Sequence, residues 1–196
     1  TNTGLPYPFD LDQPSSLFSG TDDSLTIGFA RDRQDVFVDG DPMTLARNCR
    51  GGPSDISTDV TSNHERVSSV IQRTVDVKGN ELLTCDGNGL GAQAIIQNVA
   101  NFRVRYLVQD ATSALGNPTI RYVDAATAGA NWGRVQGVEI CMVLYGNETI
   151  DLPTGSAYTD CDGTTKIDMT TLTGKRAKRM HLVFRNVFQL RSQGLV

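Results

Sequence analysis

Only two histidines occur in these 196 residues, His64 and His181, and neither belongs to a catalytic pattern. His64 is followed by Glu65 but by no second histidine, so the helical zinc-hydrolase motif is missing. His181 stands beside basic residues on what reads as the polar face of a strand, where a surface histidine is expected. No G-x-S-x-G elbow holds a nucleophilic serine. Gly87-Asn88-Gly89-Leu90-Gly91 has the glycines of a phosphate loop, but no Lys-Ser/Thr and no long helix follow, so it reads as a turn. No stretch is apolar enough to cross a membrane, no secretory leader is present, and no long amphipathic helix, repeat or linker divides the chain. An excess of one charge is also missing. The net charge of -4 argues against a surface wholly built for nucleic acid or anionic lipid. The chain opens Thr1-Asn2-Thr3-Gly4 without methionine, which reads as a trimmed or processed start.

What is present points to β structure. Gly, Ser, Thr, Asn and Asp abound, which suits short strands joined by many turns. Residues 1–23, with Pro6, Pro8, Pro14 and Gly20, read as an irregular lead-in. Leu25, Ile27 and Phe29 alternate with small polar residues, predicting a strand with one buried face. Val36-Phe37-Val38 predicts a short strand closed by Asp39-Gly40-Asp41-Pro42, and Cys49 to Glu65 reads as loop. Val67 to Val77, the turn Lys78-Gly79-Asn80 and the return Glu81 to Cys85 form a hairpin signal. Asp86 to Gly89 is a second turn, and Gln93 to Val99 fits a short helix or a strand. Phe102, Val104, Tyr106 and Val108 alternate with Arg103 and Arg105 in a strand. Residues 110–133 read as a long loop with a short strand at Thr119 to Val123.

Two further strands close the chain. In Arg134 to Tyr145, Val138, Ile140, Met142 and Leu144 share one face, and Gly137, Glu139 and Cys141 lie on the other. In Met180 to Arg191, Met180, Leu182, Phe184, Phe188 and Leu190 share the apolar face, so Phe184 and Phe188 read as core, while His181, Arg185, Gln189 and Arg191 point away. The expected fold is mostly antiparallel β, in one domain spanning residues 1–196.

The four cysteines, Cys49, Cys85, Cys141 and Cys161, have no C-x-x-C spacing, which sets aside zinc knuckles and dithiol redox motifs. Three pairings are open, of which the sequential pair of bridges, Cys49 to Cys85 and Cys141 to Cys161, is the simplest. Disulfides imply an oxidising compartment such as a periplasm or the cell exterior.

The remaining candidates carry weaker chemistry. Asp160-Cys161-Asp162-Gly163 and Asp86-Gly87-Asn88 offer oxygen ligands for calcium, but neither has the spacing of an EF-hand loop. Asn147-Glu148-Thr149 has the form of a glycosylation acceptor. Lys175, Arg176, Lys178 and Arg179 form the main charge concentration, a candidate surface for a neighbouring subunit or for DNA phosphates.

Three segments carry a resemblance to a family, in order along the chain. Gln97-Asn98-Val99-Ala100-Asn101-Phe102-Arg103-Val104-Arg105-Tyr106 ends in an aromatic-x-Val-x-Tyr strand. Trp132 is followed by Val135, Val138 and an apolar strand, a W-x-x-V-x-x-V pattern. Lys175 to Arg179 leads into Phe184-Arg185-Asn186-Val187-Phe188-Gln189-Leu190-Arg191. Together they resemble the PilW family of type IV pilus minor pilins, mainly over residues 82–196; Ser192 stands where that family commonly has Asn.

The resemblance implies a pilin-like α+β domain lacking its N-terminal membrane helix, and a structural subunit rather than an enzyme, with no catalytic residue, metal or cofactor. It implies an inner-membrane location facing the periplasm before assembly, then a place at or near the pilus tip. Partners would be other minor pilins, the major pilin or a tip adhesin. The alternatives it leaves are a GspJ-like pseudopilin of type II secretion and a tip subunit that touches DNA during uptake.

Overall fold

The computed structural model describes residues 18–30, 34–35, 42–43, 47–52, 66–110, 119–129 and 132–190. The expected strand at Val36 to Val38, His64 and Arg191 lie outside them. In chain order the strands are β1 (Phe18–Gly20), β2 (Ser24–Ala30), β3 (Gln34–Asp35), β4 (Pro42–Met43), β5 (Arg66–Val75), β6 (Glu81–Gly87), β7 (Ala92–Gln97), β8 (Val99–Asp110) and β9 (Thr119–Val123). A four-residue helix α1 (Ala125–Ala128) follows, then β10 (Val135–Tyr145), β11 (Ala157–Thr159), β12 (Lys166–Asp168) and β13 (His181–Gln189). Every paired strand is antiparallel, so the expectation of a mostly antiparallel β fold holds.

Two larger sheets carry the architecture. One runs β1-β2-β5-β6-β7 and the other β13-β10-β8-β9; β3 with β4 and β11 with β12 make two small pairs. The β5–β6 hairpin turns where the sequence placed a turn. Asp76 holds it by accepting from the amides of Lys78 and Asn80, both at 2.8 Å. The segment that fitted helix or strand is strand β7. Asn98, at φ 60°, separates β7 from β8 and lets the chain pass from one sheet to the other without a loop.

The main core forms where the sheets meet. Phe18, Leu25 and Leu83 come from the first sheet, and Phe102, Val104, Tyr106 and Val138 from the second. Trp132 closes this cluster from a single 3-10 turn, its ring 5.0 Å from that of Tyr106 and 5.8 Å from that of Phe18. The other end of the first sheet's inner face is covered by the 47–52 segment. There Cys49 is bridged to Cys85 and donates its amide to Ser69 Oγ at 3.0 Å. Asn48 lies so close to Gly87 that a side-chain carbon there would stand 2.5 Å from the Asn48 carboxamide. Because the core reaches only the start of β2, Leu25 is buried while Ile27 and Phe29 are exposed, against the expectation of one buried face.

The two C-terminal strands depart further from the pattern. On β10 the face with the polar Glu139 is the more deeply buried: Gly137, Glu139, Cys141, Val143 and Tyr145 are all buried, whereas Ile140, Met142 and Leu144 are half-buried at the margin of the main core. On β13 the apolar face is open: Leu182, Phe184 and Phe188 are exposed, not core. The reason lies in the offset of the sheets. The first sheet packs chiefly beneath β8, and the loop-rich segment 146–180 covers the opposite face of β10. The segment expected as a long loop over 110–133 also contains α1, capped by the Asp124 carboxylate on the Thr127 amide at 2.8 Å.

Candidate functional site

The C-terminal segment is fixed to the two sheets at three points. The first is the Cys141–Cys161 disulfide, whose buried sulfurs lie in a small cluster with Ala100, Val143, Tyr145 and Tyr158. With Cys49–Cys85, this gives the sequential pairing, and no described cysteine is free.

The second is an aromatic stack around His181, which is buried rather than a surface residue. Its ring lies parallel to that of Tyr158 at 5.2 Å and near Tyr145 at 5.6 Å. Nδ1 lies 2.9 Å from the Arg179 carbonyl. The alternation placed His181 on the face of β13 away from the apolar one, and it does lie there. That face is covered at this end by β11 and the 3-10 turn that carries Met169, a tertiary contact with no trace in the pattern.

Burial pushes the His181 imidazole below its usual pKa, and the Arg176 charge adds to this against the Arg179 carbonyl. The facing ionisable groups are Arg176, Glu81, Tyr145 and Tyr158. The folded protein therefore takes up this proton less readily than the unfolded chain. Above about pH 6.5 both forms are neutral and the residue is without effect. As pH falls below that value the unfolded chain protonates first, so stability declines down to the folded pKa. A melting temperature that drops between pH 7 and 5 is expected, with the drop flattened in His181→Phe. The same slope in that variant would refute it. Loss through carboxylates such as Glu81 belongs to lower pH, because its folded pKa is also lowered.

The third point is the basic stretch. Arg176 reaches back to the first sheet, where its Nε donates to Glu81 Oε2 at 2.7 Å, and it donates as well to the Ala100 carbonyl at 2.7 Å. Arg73 binds the same carboxylate and donates to the Val99 carbonyl at 3.0 Å. Burial pushes the Glu81 carboxyl up, but the hydrogen bonds and charges of Arg176 and Arg73 outweigh it and hold the group below its usual range. Arg179 donates to the carbonyls of Gly146 and Asn147 at 2.8 and 2.7 Å and lies over the Tyr145 ring. Lys175 binds Asn80. Lys178 is exposed, with φ 53°. The structure thus brings Lys175, Arg176 and Arg179 into contacts within the fold.

Of the two calcium candidates, Asp160-Cys161-Asp162-Gly163 is likewise engaged in a turn, whereas Asp86 and Gly87 end strand β6. Asp162 accepts from the amides of Thr164 and Thr165 at 2.8 Å, and hydrogen bonds, chiefly from Thr165, push its carboxyl down to about 2. Asp160 accepts from Asn101 at 2.8 Å and from the Cys161 amide at 2.7 Å. Among the described residues no three His, Cys, Asp or Glu side chains are placed to hold a metal ion. No described helix is long and apolar enough to cross a membrane.

Part of what the strand pattern marked as core is open on the surface. Opposed pairs Leu144–Leu182, Met142–Phe184 and Val138–Phe188 place six apolar side chains on one face of β10 and β13. The β13 members are exposed, beyond the edge of the first sheet. Such a contiguous apolar surface marks an interaction site more often than a solvent-facing one.

The model of the family described as type IV pilus-assembly protein W matches residues 56–192, well over half of the chain and further upstream than the three motifs reach. Among solved structures, a type IV-like pilin from Thermus thermophilus is similar, with 12% identity and a TM-score of 0.37 over 90% of this chain and 84% of that one. No curated protein matches the chain.

Proposed function

The chain belongs to the PilW family of type IV pilus assembly proteins, and on that premise we propose that it is a minor pilin that primes pilus assembly and sits at or near the tip. The observation that carries this reading is the apolar face of β13, where Leu182, Phe184 and Phe188 are exposed beside the half-buried Met142 and Leu144 of β10. In a filament subunit that face is the seat for an apolar N-terminal helix, carried outside these 196 residues, which would anchor the protein in the inner membrane before assembly. The domain formed by these residues then faces the periplasm, and later the exterior, where the two disulfides keep it folded. Its work is assembly with other minor pilins, the major pilin or a tip adhesin, not catalysis.

The basic residues support a subunit contact only in part. Arg176 and Arg179 are committed within the fold, which leaves Lys175 and Lys178 as the exposed cations of the stretch and weakens the case for DNA contact.

Deleting the full-length gene in its host tests the proposal, with surface pili and secreted enzymes counted in the same cultures. Loss of pili with normal secretion is expected. Loss of secretion with normal pili would make the protein a GspJ-like pseudopilin instead.

A further inference from the structure

β13 is an outer strand: it pairs with β10 and, among the described residues, with no strand on its other side. The register fixes which of its backbone groups face outward. In an antiparallel ladder, opposed residues alternate between exchanging both hydrogen bonds and exchanging none. The Gly146 amide donates to the Met180 carbonyl and the Leu190 amide to the Gln136 carbonyl, both at 2.9 Å, on either side of the pairs Tyr145–His181 and Gly137–Gln189. Even-numbered residues therefore turn their backbone groups toward β10. The odd-numbered ones, His181, Val183, Arg185, Val187 and Gln189, turn theirs outward.

Two of these outward amides have local acceptors. That of His181 meets Met169 Sδ at 3.3 Å, and that of Val187 meets Asn186 Oδ1 at 2.9 Å. The amides of Val183, Arg185 and Gln189 meet none among the described residues.

The side chains complete the picture. Leu182, Phe184 and Phe188 are 56%, 50% and 48% exposed on one face, and Val183 and Val187 are 36% and 44% exposed on the other. A helix laid on the sheet covers one face only. A strand added in the plane of the sheet touches both faces and pairs the outward amides. From His181 to Gln189 there is no Lys, Asp, Glu or Pro, the residues that usually blunt an edge. The single charged side chain, Arg185, is neutralised by Glu139 at 2.9 Å and donates to the Cys161 carbonyl at 3.0 Å. Charge complementarity thus selects an uncharged apolar partner. A second copy paired across a two-fold axis at Arg185 would crowd two guanidinium groups together, each already held by its own Glu139 and Cys161 carbonyl, so a different chain fits this edge better.

We propose that the outer edge of β13 is a strand-addition site for an uncharged, extended segment, apolar on alternating faces, from a different subunit of the assembly. This rests on the reading of the protein as a pilus subunit. The nine residues of the edge span about 30 Å, enough to set a register.

The test mixes this domain with the purified soluble domains of the other minor pilins of its host, one at a time. Binding is followed by calorimetry and by amide exchange. One of them is expected to bind and to slow exchange at Val183, Arg185 and Gln189 by about tenfold or more. Val183→Pro removes an outward amide, leaves the β10 ladder intact and suits an edge position. It is expected to weaken binding by about tenfold or more, whereas Val183→Thr, which keeps the amide, stays within about threefold. Binding without protection of those amides, equal binding by the two variants, protection by a homodimer, or no binding would each overturn the proposal. In the host, normal piliation with Val183→Pro, where the deletion abolishes pili, would overturn the edge site while leaving the minor-pilin reading standing.

Discussion

Truncating Tyr106 to alanine is expected to lower the unfolding free energy by about 3–5 kcal/mol, the range for deleting a large buried aromatic side chain. Tyr106 is fully buried, with its ring edge-on to Phe18 and Trp132. It therefore ties together the first sheet, the second sheet and the 3-10 turn before β10. Its hydroxyl donates to the Thr21 carbonyl at 2.8 Å, in the turn between β1 and β2. Gly20 leaves the room for it, since a side-chain carbon there would collide with the hydroxyl and with the Ser24 carbonyl. Burial, with Asp22 and Asp23 nearby, raises the phenol pKa and keeps it a neutral donor. Tyr106→Phe removes the hydrogen bond but keeps the ring, and is expected to cost only about 1 kcal/mol. Urea unfolding of the two variants against the parent checks both values. Equal losses would mean that the hydroxyl, not the packed ring, carries the effect.

Replacing Cys141 and Cys161 together by serine is expected to lower stability by about 3 kcal/mol, from the loop entropy the bridge removes from the unfolded chain. The bridged residues are 20 apart, and their sulfurs are buried under the 146–180 segment. Two features make the effect regional as well as global. Arg185 donates to the Cys161 carbonyl and holds Glu139, so release of the loop also disturbs a buried carboxylate on β10. The stack of Tyr158 on His181 depends on the same segment staying down. Amide exchange should therefore rise first along Val143 to Tyr145 and at His181, before the main core opens. A double variant as stable as the parent, or one whose exchange rises uniformly, would refute this account.

Much of the strand inventory was legible in the sequence because alternation is a local signal. Phe102, Val104 and Tyr106 alternate and are buried together. The β5–β6 hairpin was visible in Lys78-Gly79-Asn80, although Asp76, which organises that turn, gave no signal of its own. Alternation says which residues share a face, and on β10 and β13 it was right about that. It does not say which face is covered. Leu182, Phe184 and Phe188 were expected inside and lie open, while His181 was expected outside and is buried.

The basic stretch shows the same limit from the side of charge. A cluster of cations in a sequence reads as a surface, yet Arg176 finds Glu81 from a segment distant in the chain and serves as a tether. By itself, then, the sequence determined the antiparallel β class and the family resemblance, since these rest on periodicity and ordered motifs, while it left three cysteine pairings open, among which the structure decides. The tertiary structure alone decided which sheet face is sealed by the C-terminal segment, which cations are consumed within the fold, and that, among the described residues, no strand pairs with the outer edge of β13. Those outcomes depend on how two sheets are offset and on where a long, weakly patterned segment comes to rest, and no local pattern encodes either.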